Sequence, residues 1–173
     1  PEVATSLNNH AELFRVTNRP SEAERLIRRA LSIRESTYGP AHSEVATSLN
    51  NLALLLSDTN RPSEAEPLCR RAISINEANY GPDHPNVATN LIGLAELLRG
   101  TNRLSEAEPL CRRALSILES SYGPDHPNVA TSLNNLANVM LEQGKDEQLA
   151  PSEQRSRSRK SRSVPAILRW PRR

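Results

Sequence analysis

From Val45 onward the apolar side chains Val45, Leu49, Leu52, Ala53 and Leu56 fall at steps of three and four, which places them as one stripe along a helix. A second stripe follows with Ala65, Leu68, Cys69, Ala72, Ile73 and Ile75. Tyr80-Gly81-Pro82 ends it, since glycine admits a left-handed cap and proline cannot continue a helix. The pattern predicts a helix A and a helix B joined by a short turn. His84-Pro85 and His126-Pro127 put proline at the first position of the next helix A, where its missing N–H costs little. Ser21 with Glu24, Ser63 with Glu66, and Ser105 with Glu108 read as capping boxes that open helix B. Pro67 and Pro109 fall near that start and remove about one ladder bond each.

The hairpin recurs. Ser43–His84 and Pro85–His126 match at 29 of 42 positions without a gap. An earlier copy starts at Pro1 (PEVATSLNNHAELF) and a later one at Pro127 (PNVATSLNNLANVM). The expected units are 1–42, 43–84, 85–126 and a partial fourth, 127–150, followed by a basic tail over 151–173. No hairpin can bury its stripe alone, so neighbouring units must stack and close a continuous core. That logic predicts an all-α solenoid. A four-helix bundle would not require near-identical units in strict register.

Aromatic residues make up only 3% of the chain, too few to wall a cofactor pocket of the usual kind; no cofactor or metal is expected. The net charge of +2 conceals a split. Residues 151–173 hold seven Arg and Lys160 against Glu153, a balance of +7, which leaves 14 basic and 19 acidic residues, or −5, in the remainder. Cys69 and Cys111 stand apart with no CxxC and no histidine pair at ligand spacing. They are expected to be reduced core thiols, which suits the cytoplasm. No signal peptide and no membrane-length apolar run is present. The absence of an initial Met suggests a fragment of a longer protein. After Gly144 the expected SEAEPLCRRAL gives way to DEQLAPSEQRSRSRK, so the helical pattern is expected to fray from about Asp146 into a disordered tail.

The frame Leu49-x2-Leu52-Ala53-x2-Leu56, then Ala65-x3-Cys69 and Ala72, resembles the tetratricopeptide repeat. Leucine and cysteine stand where the common 34-residue form has large aromatics, and helix B is longer. The phrases VATSLNNLA, SEAEPLCRRAL and YGPDHPNVA are similar to the 42-residue variant of kinesin light chains, nephrocystin-like proteins and many bacterial repeat proteins. The resemblance covers about residues 1–145. It implies a right-handed solenoid that binds other proteins, with one face of helix A lining a concave groove for peptides. In kinesin light chains the Asn of the LNN phrase contacts cargo peptides, and Asn8, Asn50 and Asn134 match it here.

Comparison of the two central units points to the same face. Five of their thirteen differences run along helix A as Asn50/Ile92, Asn51/Gly93, Leu54/Glu96, Ser57/Arg99 and Asp58/Gly100. Positions 50, 54 and 57 share a helical face away from the apolar stripe. The candidate groove is therefore Asn8, Glu12 and Arg15; Asn50, Leu54 and Ser57; Ile92, Glu96 and Arg99; then Asn134 and Asn138. Asparagine offers donors and an acceptor to a peptide backbone, and Arg15 and Arg99 are suited to gripping carboxylates. Solvated residues that merely tolerate drift are the plain alternative for this stripe.

His84 and His126 recur beside proline and are expected to cap or pack rather than catalyse. Arg28-Arg29, Arg70-Arg71 and Arg112-Arg113 are expected to pair with Glu22, Glu64 and Glu106 on an exposed face. With no phosphate-cradling glycine loop and no nucleophile arrangement, an enzyme is not expected. Three further readings stay open: nucleic-acid or anionic-surface association through RSRSRKSRS, service as the sensor array of a larger signalling NTPase, and self-association through uncapped ends.

Overall fold

A computed structural model describes residues 2–144; the expected fraying from Asp146 and the basic tail lie outside them. Seven helices occupy the described residues: α1 (Glu2–Val16), α2 (Pro20–Tyr38), α3 (Ser43–Asp58), α4 (Pro62–Tyr80), α5 (Pro85–Gly100), α6 (Leu104–Tyr122) and α7 (Pro127–Glu142). Odd-numbered helices are the A helices and even-numbered ones the B helices. Each helix packs on the one before and the one after it in sequence, so the chain advances as stacked hairpins, an all-α solenoid.

The predicted stripes form the seam. Val45, Leu49, Leu52, Ala53 and Leu56 are buried on α3, as are Ala65, Cys69, Ala72 and Ile75 on α4, while Leu68 and Ile73 pack partly buried against them. Small residues recur in the seam, with Ala11, Ala23, Ala53, Ala65, Ala95 and Ala107 all buried within one cluster that runs from α1 to α7. The first unit shows what stacking contributes. Val3 and Leu13 are 58% and 60% exposed, whereas their counterparts Val45 and Leu55 are at 0% and 1%. In the later units the preceding B helix covers these positions, and among the described residues nothing precedes α1.

The A–B turn corrects the capping-box expectation. In unit two, Thr59 is the C-cap of α3 and Asn60 takes a left-handed φ of 58°. The Arg61 N–H donates to Leu56 O at 2.8 Å and the Asn60 N–H to Ser57 O at 3.0 Å, the two bonds of a Schellman ending. Arg61 is at the same time the N-cap of α4, with Pro62 at its first position and no side-chain cap bond. One residue thus closes one helix and opens the next, and Ser63 falls inside the first turn, too late to cap. Arg19 and Arg103 repeat the arrangement.

At the B–A turn the histidines cap, as expected. His84 Nδ1 accepts from the Asn86 N–H at 3.1 Å, its ring stacks on Tyr80 with centroids 4.5 Å apart, and Pro85 follows at the first helical position. His42 and His126 make the same cap and stack, although Ser43 rather than proline follows His42.

The arginine pairs find acids other than the expected ones. Arg28, Arg70 and Arg112 pair with Glu24, Glu66 and Glu108 one turn away, and Arg71 and Arg113 reach Glu35 and Glu77. Glu22, Glu64 and Glu106 pair instead with Arg19, Arg61 and Arg103, because each B helix starts directly after its capping arginine, at Pro20, Pro62 or Leu104, and brings those acids beside it. Arg61 and Arg103 also cross to the preceding unit, to Glu24 at 2.7 Å and Glu66 at 2.6 Å.

These bridges make stability depend on acid pH. Hydrogen bonds from Arg103 and then Arg70 hold the Glu66 carboxyl below its ordinary range. Burial pushes Glu24 up, but hydrogen bonds from Arg61 and Arg28 more than offset it. A carboxylate with a lowered folded-state pKa stabilises the fold above its unfolded value of about 4.3 and loses that contribution as pH falls through the folded value. The melting temperature is therefore expected to be flat from pH 7 to about pH 5 and to drop below that. Glu66→Gln should remove part of the drop, and an acid-independent melting temperature down to about pH 3 would contradict the bridging role.

Candidate functional site

Successive A helices approach one another directly, α1 to α3, α3 to α5 and α5 to α7, while successive B helices stand further apart. A stack whose A helices are closer together curves toward them, so the A helices line its inner wall. All eleven groove candidates lie on these helices: Asn8, Glu12 and Arg15 on α1, Asn50, Leu54 and Ser57 on α3, Ile92, Glu96 and Arg99 on α5, Asn134 and Asn138 on α7. Several meet residues of the neighbouring A helix. Asn135 donates to Glu96 at 3.3 Å, and a Cβ at Gly93 would come 3.4 Å from Asn50 Oδ1. Leu54 is 46% exposed, an uncovered apolar side chain in the middle of the wall. Asn8 Oδ1 is buried without a hydrogen-bond partner.

The two arginines are already engaged. Arg15 holds Glu12 at 2.7 Å and Asp58 of the next unit at 2.8 Å, and Arg99 holds Glu142 at 2.7 Å. They stitch unit one to two and unit three to four. The step between units two and three has Ser57 and Gly100 at those positions and cannot form such a pair. The inner wall is thus charged and closed at its ends, and small and apolar at its centre around Leu54, Ile92 and Gly93.

Sequence reasoning missed a buried polar contact at two of the three steps between units. Arg34 is 4% exposed; it donates to Ser48 Oγ at 2.8 Å and Glu44 O at 3.2 Å, and pairs with the Glu44 carboxylate at 3.0 Å. One unit on, Asn76 Nδ2 donates to Asn90 Oδ1 at 2.5 Å, with both residues buried. At the third step Leu118 faces this place and Ser132 Oγ is buried without a partner. The signal was present in the sequence: a position that reads Arg34, Asn76 and Leu118 across units is apolar in one of them and so is buried in all. Ser48/Asn90 likewise belongs with the helix A differences.

Around Asn76 and Asn90 lies a cleft of about 240 Å³, lined also by Ser43, Glu44, Thr47, Asn50, Asn51, Tyr80, Asn86 and Thr89. Cys69 and Cys111 sit apart from it in the seam as free, buried thiols. Burial pushes both thiols up to about 11, which keeps them protonated and unreactive at neutral pH.

A tetratricopeptide repeat family model matches residues 2–78, 64–120 and 103–148. The chain belongs to the tetratricopeptide repeat family. Among solved structures, the array is similar to BtubC (BKLC) from P. vanneervenii, with a TM-score of 0.77 at 21% identity over 98% of this chain and 67% of that one. It is also similar to a kinesin-light-chain-type protein of Podosopora anserina built of nearly identical TPR-like repeats, with a TM-score of 0.77 at 18% identity over 94% of this chain and 77% of that one. At such identities the likeness is one of fold. Comparison with curated proteins gave no match. Tetratricopeptide arrays generally mediate protein–protein interaction and are typically not enzymes. Among the described residues no helix is long and apolar enough to cross a membrane.

Proposed function

We propose that this tetratricopeptide array is a binding scaffold, without catalytic activity of its own, that holds an extended peptide or a partner domain along its inner wall. The observation that carries this reading is the contrast between seam and wall. The apolar seam is nearly identical in the two central units, from Val45/Val87 to Ile75/Ile117, while Asn50/Ile92, Leu54/Glu96 and Ser57/Arg99 change on the face where A helices adjoin. Leu54 and Ile92 supply apolar contact at the centre. Asn8, Asn50, Asn134 and Asn138 supply backbone-directed hydrogen bonds, and Glu12, Glu96, Arg15 and Arg99 supply charge at the flanks. Because Arg15 and Arg99 already hold acids, a partner carboxylate gains them only by exchanging with Asp58 or Glu142. We therefore assign the centre of the wall more of the affinity than its ends. Its reduced, buried cysteines suit a cytoplasmic protein.

The test is a paired capture. The full chain and its Asn50→Ala/Leu54→Ala variant are immobilised at equal loading and challenged with the same extract, and each bound protein is quantified by mass spectrometry. Both substituted side chains lie on the wall, so helicity and melting are expected to stay near the parent values. At least one protein is expected to be retained about tenfold less by the variant, equivalent to about 1.4 kcal/mol. Identical retention of every bound protein by the two would sink the inner-wall reading.

A further inference from the structure

The cleft between α3, α4 and α5 is the counterpart, one unit on, of the place that Arg34 fills between α2 and α3. There a buried guanidinium is held by Ser48 Oγ, the Glu44 backbone carbonyl and the Glu44 carboxylate. One unit later the same three places are taken by Asn90, the Asn86 carbonyl and the Asn86 side chain, acceptors again. The cation is missing, because Asn76 stands where Arg34 stood. Asn76 is too short to fill the volume, and a cleft of about 240 Å³ remains.

The lining is rich in acceptors. It contains no Lys, Arg or His, and its single carboxylate, Glu44, already pairs with Arg34 at 3.0 Å, so the acceptors it offers are mainly amide and hydroxyl oxygens. The Thr47 and Thr89 hydroxyls donate back to Ser43 O and Pro85 O, which leaves their oxygens free to accept. Asn76 spends a donor on Asn90, while its Oδ1 is buried with no partner. Asn76 is 6% exposed, so this orphaned acceptor belongs to the floor of the cleft. A buried acceptor without a donor is costly, and a group that supplies N–H donors recovers that cost. Guanidinium presents five N–H donors in a fixed fork and is less strongly hydrated than ammonium.

We infer that the Asn76–Asn90 cleft is a receptor for the guanidinium of an arginine side chain delivered from outside the hairpin stack. The arginine replaces, between units two and three, the internal one that Arg34 provides between units one and two. The inference goes beyond the inner-wall reading and does not need it: Asn50 borders both surfaces, but Asn76 and Asn90, on which the cleft depends, are not wall residues. Two sources share this chemistry. One is a separate arginine-bearing peptide. The other is the chain's own RSRSRKSRS, whose +7 tail complements the −5 of the remainder. The eleven residues from 145 to 155 reach up to about 36–40 Å when extended, further than the length of a 16-residue helix A, about 24 Å.

The experiment follows the side-chain amide NMR signals of Asn76 and Asn90 in the full chain. The probes are a blocked Gly-Arg-Gly peptide and its citrulline twin, which has the same shape without the charge. The arginine peptide is expected to shift both signals saturably, and the citrulline peptide to bind at least about tenfold more weakly. The Asn50 and Asn86 side-chain amides, which also line the cleft, are expected to shift with the arginine peptide in the parent. Asn76→Arg/Asn90→Ser, which rebuilds the Arg34–Ser48 pair in the cleft, is expected to melt no lower than the parent and to abolish the shift of those two signals. Should that variant not fold, Asn76→Leu, copying the third step where Leu118 is tolerated, takes its place, read by the shifts of Asn90 and Thr89 and with the same expected loss. Equal responses to arginine and citrulline, or a response that survives in the folded variant, overturns the inference. Arg155→Gln/Arg157→Gln/Arg159→Gln/Arg162→Gln separates the sources. If it moves the Asn76 and Asn90 signals and the arginine peptide moves them back, the occupant is the chain's own tail. If it leaves them unmoved and the peptide still titrates, the arginine comes from a separate partner.

Discussion

Replacing Leu52 by alanine is expected to cost about 2–5 kcal/mol, the largest effect of any single truncation considered for this array. Leu52 is 1% exposed and lies in the cluster that runs through all the units from Ala11 to Met140. Its neighbours are held by helices on both sides, so little collapse into the vacated volume is possible, and the cost of the cavity adds to the lost transfer energy. Because a solenoid is held by unit and interface contributions rather than by one central core, the loss falls on unit two and on its contacts with both flanking units. Leu54 makes the control. It is two residues further along the same helix and 46% exposed, so Leu54→Ala should change stability by less than about 0.5 kcal/mol. Urea unfolding followed by helical circular dichroism measures both. A midpoint shift for Leu52→Ala equivalent to less than about 1 kcal/mol would be incompatible with the seam described here.

The same two residues show why some of the molecule was legible before its structure and some was not. Helical period sorts Leu52 from Leu54 because burial of apolar area dominates the choice of face, and three copies in register (Leu52, Leu94 and Leu136) repeat that choice. The repeat length, the His-Pro helix starts and the glycine stops were readable for the same reason: each is a local preference repeated in several units. The Ser-x-x-Glu phrase misled because it describes only a side-chain pattern. What decides the start of helix B is the preceding helix ending, where left-handed Asn60 turns the chain so sharply that Arg61 must serve both helices. Glu66 then finds Arg70 and Arg103, not the amide a capping box would give it. The groove candidates all fall on A helices, but Arg15 and Arg99 were read as free. Their partners Asp58 and Glu142 lie 43 residues away, a separation at which a single sequence gives no pairing signal. The buried Asn76–Asn90 contact stayed hidden for a related reason. A polar residue is read as exposed by default, and only comparison with Leu118 at the equivalent position shows otherwise.

Gly81→Ala is expected to destabilise the array by about 1–3 kcal/mol, and the cause is confined to the backbone. Gly81 has φ 89° and ψ 161°, a region that is essentially closed to residues with a side chain. A Cβ built there would meet nothing within 4 Å, so no steric clash with neighbours contributes. Gly39 and Gly123 take nearly the same angles at the ends of α2 and α6, which makes this conformation a property of the B–A turn and not an accident of one unit. The turn places Tyr80 against His84 and sets the angle at which the next helix A leaves. A residue that relaxes φ to a negative value must therefore disturb either the stacked ring pair or the seam. Gly93→Ala is the contrasting substitution. Gly93 lies inside α5, where alanine gains up to about 1 kcal/mol of helix propensity against a close contact of 3.4 Å with the flexible Asn50 side chain. Denaturant midpoints should therefore fall for Gly81→Ala and hold or rise for Gly93→Ala. If both fall alike, loss of glycine as such is harmful, and the positive φ at the turn is not what makes Gly81 necessary.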